Sequence, residues 1–312
     1  MGKYLVTGGA GFIGSHLVEA LCKRGDEVVI LDNLSTGKRE NIEPFLDQVR
    51  FVEGSITDLE TVRSCCAGVE VVLHQAALAS VPRSVKDPIA SNETNINGTL
   101  NVLWAAHEAG AHRVVYAASS STYGDTEVLP KREDMYPAPM SPYAVTKYVG
   151  ELYLQVFDRL YGLSCVGLRY FNVFGPRQDP HSQYAAVVPL FITKLLAGEP
   201  PLIHGDGEQS RDFTYIQNVV EANLAAAAAE APEGRSVNIA CGERITINEI
   251  CQRIQQLLGT DIAPEYDEPR VGDVKHSLAD ISLANQTIGY QPSVDLATGL
   301  RETVEWYRRQ QS

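Results

Sequence analysis

The chain has 312 residues, enough for one large domain or two small ones, and its 44% hydrophobic and 21% charged content is that of an ordinary globular protein. A net charge of −13 argues against a general nucleic-acid binder, because a phosphate backbone would be repelled, while a few local arginines could still hold an anionic small molecule. There is no run of about 18 apolar residues, so no membrane span is expected.

In chain order, "KYLVT" (3–7) is an unbroken apolar run and predicts a strand with no leader segment before it. Six cysteines (Cys22, Cys65, Cys66, Cys165, Cys241 and Cys251) show no CxxC spacing, so reduced thiols in the cytoplasm are expected. The strand runs straight into "VTGGAGFIGSH", in which Gly8, Gly11 and Gly14 have the spacing GxxGxxG. The first glycine permits a tight turn, the second admits a phosphate, and the third lets a helix pack on the strand with its N-terminus facing a pyrophosphate. A second strand, "EVVIL" (27–31), ends at Asp32, about 20 residues beyond the turn, where an acid accepts hydrogen bonds from an adenosine ribose. A carboxylate there repels a 2′-phosphate, so NAD is predicted over NADP, although Lys38 and Arg39 lie close by.

Further strands are predicted at 50–54, 70–74, 113–117 and 163–170, alternating with helices near 12–24, 58–66, 91–109 and 142–161. Near-continuous Val/Ile/Leu runs suit a sheet covered on both faces, so the fold class is α/β: a Rossmann-type doubly wound parallel sheet. After residue 170 the pattern loosens, with helices expected at 186–197, 216–229, 246–258 and 295–310. The expected plan is an NAD-binding domain over 1–170 and a smaller C-terminal α/β region over 171–312, some of whose segments return to the sheet. No histidine, His74 included, has metal-ligand spacing, and no metal is expected.

Two stretches point to chemistry. "SPYAVTKYVGE" (141–151) places Tyr143 and Lys147 one turn apart on a helix that Ser141 caps and Pro142 opens. A phenol is a poor base at neutral pH, and a neighbouring ammonium and a positive nicotinamide ring would favour the phenolate. "ASSSTYG" (118–124) follows a strand, so its hydroxyls sit at the sheet's ligand end.

With "TGGAGFIGSH", "DNLSTG", "HQAA", "SSSTYG", "SPYAVTKY", "LRYFNVFGPRQ", "GDGEQSRDFTYI" and "RVGDVKHS" in this order, the chain resembles the extended short-chain dehydrogenase/reductase family, most closely its nucleotide-sugar 4-epimerases. Among these it looks most like the UDP-N-acetylglucosamine 4-epimerases, through "SVPRS", "SSSTYG" and "RYFNVFGPRQDP". The resemblance implies a tightly bound NAD+ regenerated each cycle and a UDP-sugar substrate. It also implies a homodimer through a four-helix bundle made by the helices near 91–109 and 142–161.

For the cofactor it implies Gly8, Gly11, Phe12, Ile13 and Gly14 in the first turn, and Asp32, Asn33, Ser35 and Gly37 in the second. Ser55 and Ile56 follow the third strand and Gln75, Ala76 and Ala77 the fourth, with Tyr143, Lys147, Tyr170 and Val173 completing the set. Tyr143 is implied as catalytic base, Lys147 as its tuning group, and Ser119 as the assisting hydroxyl. Ser80, Ser120 and Ser121 would line the sugar pocket. Asn172, Arg211 and Arg270 would bind the diphosphate, Asp273 the uridine ribose, and Ala186, Val187, Leu202 and His204 the uracil end.

The reaction implied is a 4-epimerisation through a 4-keto sugar. A 4,6-dehydratase or a decarboxylase of this group carries a carboxylate just before Tyr-Gly, where this chain has Ser121 and Thr122. A uronic-acid 4-epimerase shares that lack and stays open, as does a non-catalytic NAD-binding regulator, although regulators usually lose the Tyr-Lys pair. The position that gates pocket size in the family is Ser277; a tyrosine there restricts the pocket to glucose and galactose, whereas serine leaves room for an N-acetyl group. Two positions depart from the relatives: Ser55 replaces an adenine-contacting carboxylate, and Ala79 replaces a glycine.

Overall fold

The computed structural model describes residues 1–180, 186–230, 232–268 and 275–311. Six strands of one sheet come from the first half: β1 (Lys3–Thr7), β2 (Glu27–Asp32), β3 (Val49–Glu53), β4 (Val71–His74), β5 (Arg113–Ser119) and β6 (Ser164–Tyr170). Later come β7 (Val173–Phe174), β8 (Leu202–His204), β9 (Ser210–Arg211), β10 (Thr214–Tyr215), β11 (Ser236–Ile239), β12 (Ile245–Thr246) and β13 (Glu265–Asp267). Only β11 of these joins the main sheet, whose order is β11-β6-β5-β4-β1-β2-β3 with every pair parallel. The chain order reverses between β1 and β4, and ligands of open α/β sheets bind at the carboxyl ends of strands flanking such a switch point.

The unbroken apolar runs are explained by two cores. Along β1, Tyr4 and Val6 pack into one cluster and Leu5 into another on the opposite face. Helices α1 (Phe12–Lys23) and α2 (Leu59–Cys66) lie where the periodicity predicts them. The helix expected over 91–109 is instead α4 (Pro88–Asn92), a wider π turn over Glu93–Asn97, and α5 (Gly98–Glu108). The wide turn carries Asn95 into the interior, where it accepts from Leu78 N (2.8 Å) and donates to Thr146 Oγ1 (3.0 Å).

The short α3 (Val81–Lys86), capped by Ser80, is an addition that the sequence pattern does not foretell. Helix α6 (Pro142–Tyr161) runs from the Ser141 cap to the left-handed Gly162. The C-terminal half supplies α7 (Val187–Leu196), α8 (Ile216–Ala228), α9 (Ile247–Leu258), α10 (Ser282–Ile288) and α11 (Leu296–Gln311). The smaller strands pair off as β7 with β10, β8 with β13 and β9 with β12. Among the described residues no helix is long and apolar enough to cross a membrane, and no cluster of His, Cys, Asp and Glu could hold a metal.

Candidate active site

A cavity of about 310 Å³ opens at the carboxyl ends of β1, β2, β4 and β5. Gly8 has φ +69°, and a Cβ there would lie 2.8 Å from the Ala76 backbone; one on Gly14 would lie 2.1 Å from Gly8 O. Side chains are therefore excluded, and the backbone itself faces the cavity. Gly11 stands at the N-cap of α1 with no side-chain cap, and the first turn holds no acid, which leaves its N–H groups for an anion. Asp32 is buried, accepts from Ala10 N (2.9 Å) and Leu34 N (2.8 Å), and is pushed up by desolvation. This cradle fits an adenine dinucleotide.

Phe12, Ile13, Asn33, Ser35, Ser55, Ile56, Gln75, Ala76, Ala77 and Tyr170 all line the same cavity, with Tyr143 and Lys147 at its inner end. Gly37 stands behind the wall, where a Cβ would press on the Asp32 carboxylate at 2.9 Å. The loop after β4 is held from below. His74, pushed down to about 3 by burial and by Lys147, is neutral; Thr7 Oγ1 donates to its Nδ1 (2.7 Å). Its Nε2–H donates to Thr99 Oγ1 (3.0 Å), whose proton goes to Asn95 O (2.6 Å), a direction that fixes the tautomer.

Ser119 ends β5 and caps the 3₁₀ turn Ser120–Tyr123. Its oxygen accepts from Ser121 N (3.2 Å) and Ser121 Oγ (2.8 Å), which leaves its own proton for another acceptor. Burial pushes the Tyr143 phenol up, and a hydrogen bond with Ser119 pulls it partly back. The Lys147 ammonium does not offset that burial in the chain alone. It donates to Ala117 O (2.7 Å), sits 4.9 Å from the Tyr116 ring centroid, and is itself pushed down to about 7 by desolvation, with Glu151 opposing.

That depression predicts a pH dependence. The unfolded lysine holds its proton up to about 10.5 and the folded one only to about 7. Below pH 7 both states are protonated and the fold bears the whole cost of a buried ammonium. Between the two values the unfolded state binds more protons, so stability rises with pH. In cofactor-free protein, urea unfolding should show the stability of the parent rising relative to Lys147→Met between about pH 7 and pH 9; a constant difference would contradict the assigned burial.

A second cavity of about 440 Å³ adjoins the first at Ala79, which stands on both walls. Ser80, Asn172, Ala186, Val187, Leu202, His204 and Arg211 line it. Val173, expected beside the cofactor, lines this cavity and not the first, because β7 turns away from β6 to pair with β10. Asn172 donates to Asp212 O (2.9 Å) and Ser277 Oγ (3.3 Å), so Ser277 acts from behind the wall. Ser119, Ser120 and Ser121 lie on neither wall. Arg270 and Asp273 fall outside the described residues.

Two groups escaped sequence reasoning. Asp212 is fully buried and accepts from Cys241 N, Gly242 N and Ala279 N, pinning two other segments to its own; burial pushes it up to about 6. Arg177 and Asp179 line the first cavity from the C-terminal half. The sign of each was a charged residue inside an otherwise apolar or loop motif, "SRDF" and "GPRQDP", but a sequence alone does not say what it meets.

Residues 4–240 match the model of the NAD dependent epimerase/dehydratase family. A UDP-glucose 4-epimerase of Mycolicibacterium smegmatis is 40% identical over 310 residues, 98% of each chain. The UDP-N-acetylglucosamine 4-epimerase of Methanobrevibacter ruminantium, solved in complex with UDP-N-acetylmuramic acid, superposes with TM-score 0.95 at 43% identity over 99% of each chain. The UDP-glucose 4-epimerase of Thermotoga maritima, solved with UDP-glucose, gives 0.95 at 40% identity over 99% of this chain and 100% of the other.

Proposed function

The chain belongs to the NAD dependent epimerase/dehydratase family, with NAD as its cofactor, and on that premise we propose that it is a 4-epimerase of UDP-hexoses, interconverting UDP-GlcNAc with UDP-GalNAc and UDP-Glc with UDP-Gal. The observation that carries this is Tyr143 and Lys147 standing together on the wall of the cofactor cavity at the end of β5, with no carboxylate at Ser121 or Thr122 to drive elimination.

Tyr143 takes the proton of the sugar's 4-hydroxyl, and Ser119, whose oxygen is already saturated by Ser121, offers its proton toward the same oxygen. Bound NAD supplies the reversible two-electron acceptor for C4. Tyr143 then returns the proton once the 4-keto sugar presents its other face. Arg211 and Asn172, which line the second cavity, hold the diphosphate through charge-assisted bonds while the sugar turns, a role that the resemblance extends to Arg270. The resemblance assigns Asp273 to the uridine ribose, and Val187, Leu202 and His204 on the wall of the second cavity to the uracil.

The test is incubation of the purified protein with each UDP-sugar, without added NAD, and identification of products by NMR. The C4 epimer is the expected product; a 4-keto-6-deoxy sugar would replace this reading with dehydration. Ser277 is a small residue bonded to a wall residue of the sugar cavity. Ser277→Tyr is expected to lower kcat/KM for the N-acetylated sugars at least about tenfold while sparing the plain hexoses, a loss of the size a filled pocket causes. Equal loss on both would sink the gate.

The homodimer reading draws support from α6, where Val145, Leu152, Val156 and Leu160 are exposed on one helical stripe. Light scattering should give twice the chain mass, and Leu152→Glu with Val156→Glu should halve it; an unchanged mass would place the contact elsewhere.

A further inference from the structure

Residues 175–180 follow β7 and bridge two walls of the cofactor cavity. Arg177 and Asp179 stand on its lining, yet the glycine turn, Asp32 and the Tyr-Lys pair have no need of them. Each is tied across to the first half of the chain. Arg177 pairs with Glu19 on α1 and donates to Ser15 Oγ (3.4 Å), one turn inside the helix whose N-terminus faces the cavity. Asp179 Oδ1 lies 3.3 Å from Lys38 Nζ, in the turn that follows Asp32. The segment is anchored on its far side as well: Gln178 Nε2 donates to Val173 O (3.0 Å), and Tyr307 OH of α11 donates to Gln178 O. Arg177 has φ +65°, a conformation that non-glycine residues adopt only when contacts hold them there.

We propose that residues 175–180 form a latch over the dinucleotide, in which the Arg177–Glu19 and Lys38–Asp179 pairs must open before the cofactor leaves. The proposal rests on the assignment of NAD to this cavity. A cofactor regenerated at every turnover has no reason to dissociate, and a latch acts on its rate of departure, the usual lever on affinity. The two pairs close the cavity from separate sides, over α1 and over the second turn, so neither alone frees the ligand. The Lys38–Asp179 pair also places a carboxylate on the lysine that would otherwise attract a 2′-phosphate.

Glu19 separates the latch from direct contact, since it pairs with Arg177 without lining the cavity. The experiment loads the protein with NADH, dilutes it into excess NAD+, and follows the loss of bound-NADH fluorescence. Glu19→Gln and Lys38→Met should each speed release about three- to tenfold, the scale of a lost partly screened ion pair. Lys38→Asp should be faster still, and adding Asp179→Lys to it should bring release back toward the parent rate. Parent-like release from Glu19→Gln and from both Lys38 variants would overturn the latch while leaving the NAD site standing. A parent protein that binds no NADH would overturn the cofactor assignment and the latch with it.

Discussion

Tyr143→Phe is expected to lower kcat about 10²–10⁴-fold, the usual contribution of a positioned proton acceptor, with little change in KM or in bound NAD. Phenylalanine keeps the ring on the cavity wall and removes only the hydroxyl that would accept the proton. The fold should be indifferent to the change, because the residue's backbone N–H is held separately by Ser84 Oγ at 3.0 Å. Ser119→Ala should cost less, since it removes a helper rather than the base, and Ser121→Ala least of the three. Steady-state kinetics on UDP-Glc and UDP-GlcNAc decide it. Tyr143→Phe retaining more than about a tenth of parent turnover would remove Tyr143 from the chemistry, and Ser121→Ala as the worst variant would mean the serine loop is misassigned.

The largest effect on stability is expected at Glu151, one turn beyond Lys147. Its carboxylate accepts from Arg169 Nε (3.0 Å and 3.2 Å) and Nη2 (2.7 Å), both side chains being almost wholly buried, at 2% and 6% exposure. Arg169 Nη1 donates onward to Tyr123 OH (2.8 Å), which donates to Asn238 Oδ1 (2.6 Å), and Asn238 Nδ2 binds Lys131 O and Asp280 O. One chain of bonds thus joins α6, β6, the serine loop and the C-terminal half. Glu151→Ala strands a guanidinium in the interior and should cost about 3–5 kcal/mol in urea unfolding. Glu151→Leu together with Arg169→Met removes both charges and should cost clearly less, because no unpaired ion remains. A double variant as unstable as Glu151→Ala would show that packing, not the charge pair, sets the penalty. Glu151→Ala should also depress Lys147 further, since the Glu151 carboxylate is what opposes its desolvation.

How far the residues spoke for themselves depends on how local the determining physics is. The strands were legible because both faces of the sheet are covered, which leaves runs such as "KYLVT" and "RVVYA" without alternation. Helix α6 was legible from its start, Ser141-Pro142, and the dinucleotide cradle from three glycines inside one turn. The π turn at Glu93–Asn97 was not, because Asn95 is drawn inward by Leu78 and Thr146, partners on separate elements. Val173, which the resemblance places with the cofactor residues, stands on the wall of the second cavity, where β7 pairs with β10. Glu151 and Arg169 each looked like an ordinary charge in a helix or strand; only the packing of α6 on β6 makes them one buried unit. The partners of Arg177 and Asp179 lie some 140 to 160 positions earlier, a separation over which no local pattern operates.

The placement of β11 bears on how the molecule comes into being. Its four residues pair with Gly167–Tyr170 of β6, so during synthesis the sheet's last edge stays bare until Ser236–Ile239 has emerged. A nascent chain that has completed the cofactor cradle still presents a row of unpaired amides and carbonyls along an apolar strand. A chain truncated anywhere between Phe171 and Arg235 would lack β11 and leave the β6 edge of the sheet unpaired.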